Sequence, residues 1–391
     1  MERVDHRKIR TVNASLTLRA LYGGEPMTVE QIRVATGISR RTTEMILEEL
    51  LGHEWAIEVA PKHLDDRPRG RPARRYAFNQ LSGSVVAVRL DTDVISVTVA
   101  DLRGQPLAEH SVETTTLMSR QDRLAVLHQA VRDALALGSQ SYETVLAVSV
   151  STLGIVRDDS TVDLPITLPE WSRFSIAREL ESVFSCTVHV ENDAKLAALG
   201  ERKAGAAQDI DNFVLLRVDG DRIGLGIVIN GELYRGYDGA AGEVVWARVL
   251  GFGLVRKHLL GALASRHDPR HEQALELVAA GHRGEPEAIL EIQELAHQLA
   301  PGLAAIAWTL APELIIVDAS IAEVADIVLP IFEAELATAG VAPVSRFTVS
   351  KIGTSTAIVQ GALSKCLDIV HQLLFSGLEL EAAPATPSDA K

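Results

Sequence analysis

Hydroxyl and guanidinium side chains cluster in one short segment near the start of the chain: Ser39, Arg40, Arg41, Thr42 and Thr43. Arginine suits guanine edges and phosphates, and hydroxyl groups at the start of a helix suit phosphates. The segment therefore indicates contact with DNA, if a neighbouring element presents it to a groove.

A helix-turn-helix would position this segment. Apolar residues recur at helical spacing over Ala14–Leu21, which predicts a first helix. Thr28 and Gln31 have the spacing of a capping box and open a short helix that ends at Gly37. Ser39 then caps a further helix, and two helices joined by a glycine-containing turn place the start of the second in the major groove.

A basic hairpin follows. The segments Ala56–Val59 and Arg75–Phe78 alternate as strands do, and the stretch between them is rich in arginine, proline and glycine. Its tip, with Arg69, Gly70 and Arg71, suits a narrow minor groove. These patterns predict a winged helix over residues 1–80. The alternative is a three-helix packing module followed by a solvated, charged linker.

The charge of the chain is divided unevenly. The 391 residues carry a formal charge of −14, yet residues 1–80 carry +3 and residues 81–391 carry −17. No apolar run is long enough to cross a membrane and no secretory signal is visible, so we expect a cytoplasmic protein of two or three domains. The lone cysteines, Cys186 and Cys366, support neither a disulfide framework nor a cysteine-rich zinc site.

The rest of the chain alternates β-rich and helical runs, which predicts an α/β body. We expect a first lobe over residues 81–195, a second lobe over residues 196–354, and a helix at about 355–375 that returns to the first lobe. Residues 376–391 have no apolar period and predict a disordered tail.

Three motifs of the body resemble those of the ROK family, named for repressors, open reading frames and kinases. Glu191–Ala194 looks like the family's Asn-Asp-Ala helix start, Ile223–Gly236 looks like its glycine-rich hairpin, and Gly239–Glu243 matches the Gly-Glu that follows. The resemblance runs from about residue 12 to about residue 370. It implies a winged helix joined to a two-lobed, actin-like (ribonuclease-H-like, sugar-kinase-like) body that encloses a sugar site.

The resemblance also implies site residues. Asn192, Asp193 and Glu243 would lie in the cleft, with Asp193 at the position of the base that deprotonates the sugar hydroxyl in family kinases. Gly154 would lie in a sugar loop, although a leucine precedes it where the family has proline. Carboxylates and amides that exchange several hydrogen bonds suit a sugar. The alternatives are an N-cap role for Asp193 in a helix that begins at Ala194, and simple loop hydrogen bonding for Asn192 and Glu243.

The nucleotide motifs depart from the family. Arg89 and Asp91-Thr92-Asp93 replace the Asp-x-Gly-Gly-Thr hairpin, Gly220–Gly224 lacks Gly-Thr-Gly, and Val317–Ser320 replaces a Gly-Gly turn. Phosphoryl transfer depends on backbone donors to the triphosphate, and carboxylates near it are repulsive. The chain is therefore predicted not to be a kinase.

The family's zinc site is also altered. Trp246 stands where the ligand histidine belongs, and Gly251–Val255 contains no cysteine. An indole cannot ligate a metal, so we expect neither metal nor cofactor, and we interpret the nearby His258 as structural or solvated. Trp246 could instead stack on a sugar face or plug the pocket.

The favoured hypothesis is a DNA-binding regulator, a repressor, that senses a sugar or sugar phosphate and binds a two-fold operator as a homodimer or homotetramer. One alternative is a sugar kinase with an appended DNA-binding domain. Another is a regulator that responds to no ligand because Trp246 closes its pocket.

Overall fold

The structure is a computed structural model that describes residues 6–60, 73–163, 168–219, 222–340 and 345–376. Its helices are α1 (His6–Tyr22), α2 (Val29–Thr36), α3 (Arg40–Gly52), α4 (Arg120–Leu137), α5 (Ile176–Leu180), α6 (Asp193–Ala204), α7 (His271–His282), α8 (Pro286–Leu310), α9 (Ala325–Ala337) and α10 (Thr354–Phe375). Its strands are β1 (Met27–Thr28), β2 (Ala56–Val59), β3 (Arg75–Phe78), β4 (Ser84–Leu90), β5 (Val94–Asp101), β6 (Pro106–Glu113), β7 (Val145–Thr152), β8 (Ile155–Val156), β9 (Thr161–Asp163), β10 (Phe174–Ser175), β11 (Thr187–Asn192), β12 (Phe213–Asp219), β13 (Arg222–Ile229), β14 (Glu232–Leu233), β15 (Leu314–Ala319) and β16 (Arg346–Val349).

The N-terminal part is a winged helix. Helices α1 to α3 pack on one another through buried residues such as Leu18, Ile32 and Ile46, beside an antiparallel sheet in the order β1-β3-β2. The capping box of Thr28 is present, and Gly37 ends α2 with φ +72°, a left-handed conformation that favours glycine. The helices and strands therefore follow the local patterns of the sequence.

The first lobe is a mixed sheet in the order β11-β7-β4-β5-β6. Strands β4, β5 and β6 are antiparallel neighbours, whereas β7 and β11 run parallel to β4. Asn192 pairs with Thr152, so the loop after β7 and the start of α6 meet at one edge. This edge faces the second lobe and carries part of the candidate site.

The second lobe is a sheet in the order β14-β13-β12-β15-β16, which packs with α8 and α9 around a large apolar core. Helix α6 leaves the first sheet and also packs on β12 and β13. It is continuous from Asp193 to Ala204, so the expected lobe boundary at 195 lies inside a helix. Helix α10 packs on α6, β4 and β7.

Two further sequence expectations concern membrane-spanning helices and the C-terminal tail. None of the described helices is long and apolar enough to cross a membrane. The expected tail lies outside the described residues, apart from Ser376.

Candidate functional site

Asn192 caps α6 and ties it to the loop after β7. Its side-chain oxygen accepts hydrogen bonds from the backbone N–H groups of Ala194 and Lys195, at 3.0 and 3.3 Å. Its amide nitrogen donates to the carbonyl oxygen of Gly154 at 3.1 Å. Within the described residues this leaves a second amide N–H for a ligand. Gly154 and Asn192, which the resemblance separately assigned to the sugar site, therefore lie next to each other.

Asp193 is the first residue of α6 and forms a buried ion pair with Arg217 of β12. The expected N-cap role for Asp193 is wrong by one residue: Asn192 is the cap, and the helix begins at Asp193 rather than Ala194. Both residue types cap helices well, so sequence could not separate them. Arg217 is 2% exposed, so the carboxylate at the position of the candidate base is held in a buried ion pair.

Lys195 lies among the carboxylates of the cleft. It is 1% exposed, and its ammonium donates to the carbonyl oxygen of Gly239 at 2.5 Å. Burial lowers the pKa of Lys195, whereas Glu191, Glu243 and Asp193 act in the opposite direction. Burial raises the pKa of Glu243 to about 7, although Lys195 opposes the shift. Glu243 therefore exchanges a proton near neutral pH.

Two arginines connect the lobes at the mouth of this cluster. Arg235, which follows β14, donates to Glu191 at 2.7 Å, to Asp158 at 2.6 Å and to the carbonyl oxygen of Val156 at 2.9 Å. Arg157, in the first lobe, donates to Asp238 of the second at 2.9 Å. The lobes are thus held together by charged hydrogen bonds around a polar cleft.

Trp246 ends a short 3-10 turn that follows Glu243, and it is 54% exposed. Contact of its ring with a sugar, or closure of the pocket by it, stays a prediction. His258 has a structural role, since its Nδ1 accepts from the N–H of Leu260 at 3.2 Å. Among the described residues no three His, Cys, Asp or Glu side chains are grouped to hold a metal ion.

Side chains occupy the turn that the family resemblance assigns to nucleotide phosphates. The carboxylate of Asp91 accepts from the backbone N–H of Thr92 at 2.7 Å and from Arg89 at 2.7 Å. Across the cleft, Ser265 donates to Asp93 at 2.5 Å. A cavity of about 250 Å³ remains, lined in part by Arg89, Asp93 and Arg217. The backbone N–H of Thr92, which could otherwise meet a phosphate, is bonded to the carboxylate of Asp91.

The candidate DNA-binding face begins at the start of α3. Ser39 caps the helix, accepting from the N–H of Thr42 at 3.3 Å. Arg40 and Arg41 are exposed, and Arg40 pairs with Glu44 at 3.0 Å. Thr43 is fully buried and donates to the carbonyl oxygen of Ser39 at 3.0 Å, so its expected contact with DNA is wrong. The reason is helical phase: Thr43 shares the inward face with Ile46 and Leu47.

The predicted tip of the wing lies outside the described residues. DNA contact by Arg69, Gly70 and Arg71 therefore stays a prediction.

Sequence reasoning missed three cations of the cleft. Arg217 had a visible signal, because it is a charged residue inside the otherwise apolar strand Phe213–Val218. Lys195 and Arg235 carried no such sequence signal, because their partners depend on how α6 packs near the β13-β14 hairpin in the folded chain. Together these cations balance the carboxylates that the motifs pointed to.

Comparisons with known proteins show which proteins the chain resembles. Residues 85–246 match the ROK family model. The chain is 23% identical over 248 residues to the xylose repressor of Bacillus subtilis (strain 168), covering 62% of each chain. It spans about three fifths of the length of the xylose repressors it resembles. It is also 26% identical over 318 residues to the glucokinase of Streptomyces coelicolor, covering 72% of this chain and 96% of that enzyme.

A solved structure shares the whole architecture. The crystal structure of a ROK family transcriptional regulator, a homologue of the Escherichia coli Mlc protein, aligns with a TM-score of 0.69 at 20% identity. The alignment covers 95% of this chain and 99% of that one. The fold is therefore a winged helix joined to an actin-like body. The chain contains a ROK family domain at residues 85–246.

Proposed function

We propose that the chain is a sequence-specific DNA-binding regulator, a repressor, of genes for carbohydrate metabolism. Its body binds a sugar or sugar phosphate as effector and does not phosphorylate it. One observation carries this proposal: a winged helix is joined to a kinase-like body in which the candidate base, Asp193, is paired with the buried Arg217. The similarity to proteins named xylose repressor supports the regulatory part.

The winged helix supplies the DNA contacts. The exposed Arg41 at the start of α3 is suited to guanine edges or phosphates, and Ser39 and Thr42 lie at the helix N-terminus. A homodimer or homotetramer presents two such helices to a two-fold operator. Binding to double-stranded DNA then depends on the spacing of the two winged helices.

The cleft supplies the effector contacts. Asn192 offers an amide N–H, Asp193 and Glu243 offer carboxyl groups, and Gly154 closes one side as backbone. Such groups discriminate between sugars, because a missing hydroxyl leaves a buried polar group unpaired. The effector controls DNA binding only if it binds the DNA-competent and DNA-incompetent conformations with different affinity.

The test is to sequence the fragments of source-organism DNA that the purified protein retains, with and without sugars. We expect sharply enriched sites that are lost or gained when xylose, glucose or their monophosphates are added. Arg41→Ala should lose the enrichment, and Glu272→Ala, a charge change on α7, is the matched control. Absence of enriched sites under every condition would overturn the proposal that the chain is a sequence-specific DNA-binding regulator.

A kinase is the second candidate, because the chain covers 96% of a glucokinase and retains Asn192 and Asp193. Radiolabelled ATP, Mg²⁺ and the same sugars give the direct assay. We expect no labelled sugar phosphate. Turnover that disappears with Asp193→Asn would overturn the non-enzymatic part of the proposal.

A further inference from the structure

Helix α10 extends from the cleft between the lobes to the winged helix. It contains 22 residues, from Thr354 to Phe375, and is about 33 Å long at 1.5 Å per residue. It is continuous, and its buried face contributes Ala362, Cys366 and Val370 to the apolar cluster shared by the winged helix and the first lobe.

Both lobes hold the start of α10. Thr354 donates to the buried carboxylate of Asp318, in β15 of the second lobe, at 3.0 Å. Ser355 accepts from Arg89, in β4 of the first lobe, at 2.8 Å. A change in the angle between the lobes must therefore alter one of these bonds or move the start of the helix.

The middle of α10 crosses α6 with backbone against backbone. A Cβ atom on Gly200 of α6 would overlap the carbonyl group of Ala357, and one on Gly361 of α10 would overlap the carbonyl group of Leu196. Helices in such contact cannot slide past one another without separating. Since Asn192 caps α6 and Asp193 is its first residue, the crossing joins α10 to the candidate effector site.

The end of α10 packs on α1 of the winged helix. The rings of Tyr22 and Phe375 lie 5.6 Å apart, and those of Tyr22 and His371 lie 4.7 Å apart, both edge to face. The guanidinium of Arg19 lies 5.3 Å from the ring centre of Phe375. The Tyr22 hydroxyl donates to the carbonyl oxygen of Leu102 in the body at 3.0 Å. These contacts fix the winged helix to the end of α10.

We propose that α6 and α10 move as one unit, so that occupancy of the cleft at the start of α6 reorients the winged helix through the ring contacts at the end of α10. The inference rests on the proposed function and names how the same site controls DNA binding. The coupling runs through packed helices with identified contacts at each end. The contacts of Phe375 with Tyr22 and Arg19 form the last step of this coupling.

The experiment measures the ratio of operator Kd values with and without a saturating effector, using the site and the sugar found with wild-type protein. Phe375→Ala should move this ratio toward one by about threefold or more, while the Kd for sugar in the absence of DNA stays within about twofold. Phe375→Leu keeps apolar bulk but loses the ring contacts, so it should also move the ratio toward one, even if the alanine variant folds poorly. Leu373→Ala is the matched control, since Leu373 is 50% exposed on the same turn and should leave the ratio unchanged.

The outcomes separate the two proposals. A wild-type ratio that differs from one and survives both Phe375 variants overturns the inference alone. So does a loss of DNA affinity that is equal with and without sugar, because the contact would then only support the fold. A wild-type protein whose DNA affinity ignores every sugar overturns the effector function and this inference with it.

Discussion

Replacing Glu243 with glutamine should remove a defined part of the pH dependence of folding stability. Burial raises the pKa of Glu243 from its ordinary 4.5 to about 7 in the folded chain. The folded state therefore holds the proton more tightly than the unfolded state does. The resulting stabilisation is complete below about pH 4.5 and is lost as the pH rises through about 7.

The size follows from the two pKa values. For a single group that titrates at about 7 when folded and 4.5 when unfolded, the free energy of unfolding falls by about 2.5 kcal/mol between pH 5 and pH 8. Lys195 lowers the pKa of Glu243 and so opposes the effect of burial. Lys195→Met should therefore raise the pKa of Glu243 further, and the loss of folding stability should then occur at a higher pH.

Urea denaturation at several pH values provides the assay. The difference in unfolding free energy between wild type and Glu243→Gln should change by about 2.5 kcal/mol from pH 5 to pH 8, because other titrating groups cancel in the comparison. Glu333→Gln, a substitution at an exposed residue of α9, should run parallel to wild type. Parallel profiles for Glu243→Gln as well would refute the burial argument.

Three further predictions concern Arg217 and the DNA-binding arginines. Arg217→Met leaves the carboxyl group of Asp193 buried without this partner, so it should lower the free energy of unfolding in urea by about 3–5 kcal/mol, and adding Asp193→Asn should restore much of the loss. An equal cost in the single and double variants would contradict the pairing. Arg41→Ala should weaken operator binding more than binding to unrelated DNA, as measured by titration with labelled duplexes. The double variant Arg69→Ala, Arg71→Ala should weaken binding to operator and unrelated DNA alike and flatten the salt dependence of binding. Unchanged affinity in this variant and in Arg41→Ala would show that the winged helix does not contact DNA.

Local sequence patterns predicted most of the elements. The strands Ala56–Val59 and Arg75–Phe78 appear with the expected bounds, and the apolar run from Val85 to Leu90 lies within β4. Their patterns depend on residues next to each other in the chain, which is why they can be seen without a structure. The motif resemblance then supplied the arrangement of the lobes.

Contacts between distant residues could not be predicted in this way. Asp193 and Arg217 are separated by 24 residues, and nothing in either segment identifies the other as its partner. The burial of Thr43 was missed because a hydroxyl at the start of a helix suits both a phosphate and a backbone carbonyl, and only the packing of α3 decides between them.

The fully buried Arg123 of α4 holds the turn from Asp91 to Asp93 in its present conformation. Its guanidinium donates to the carbonyl oxygens of Asp91, Thr92 and Thr115 and to the hydroxyl of Thr114, at 2.6–3.1 Å. A turn reshaped to cradle phosphate would withdraw some of these acceptors and leave a cation stranded in the interior. A glycine-rich turn that could cradle phosphate would therefore require several substitutions at once, because Arg123 holds the present path of the backbone.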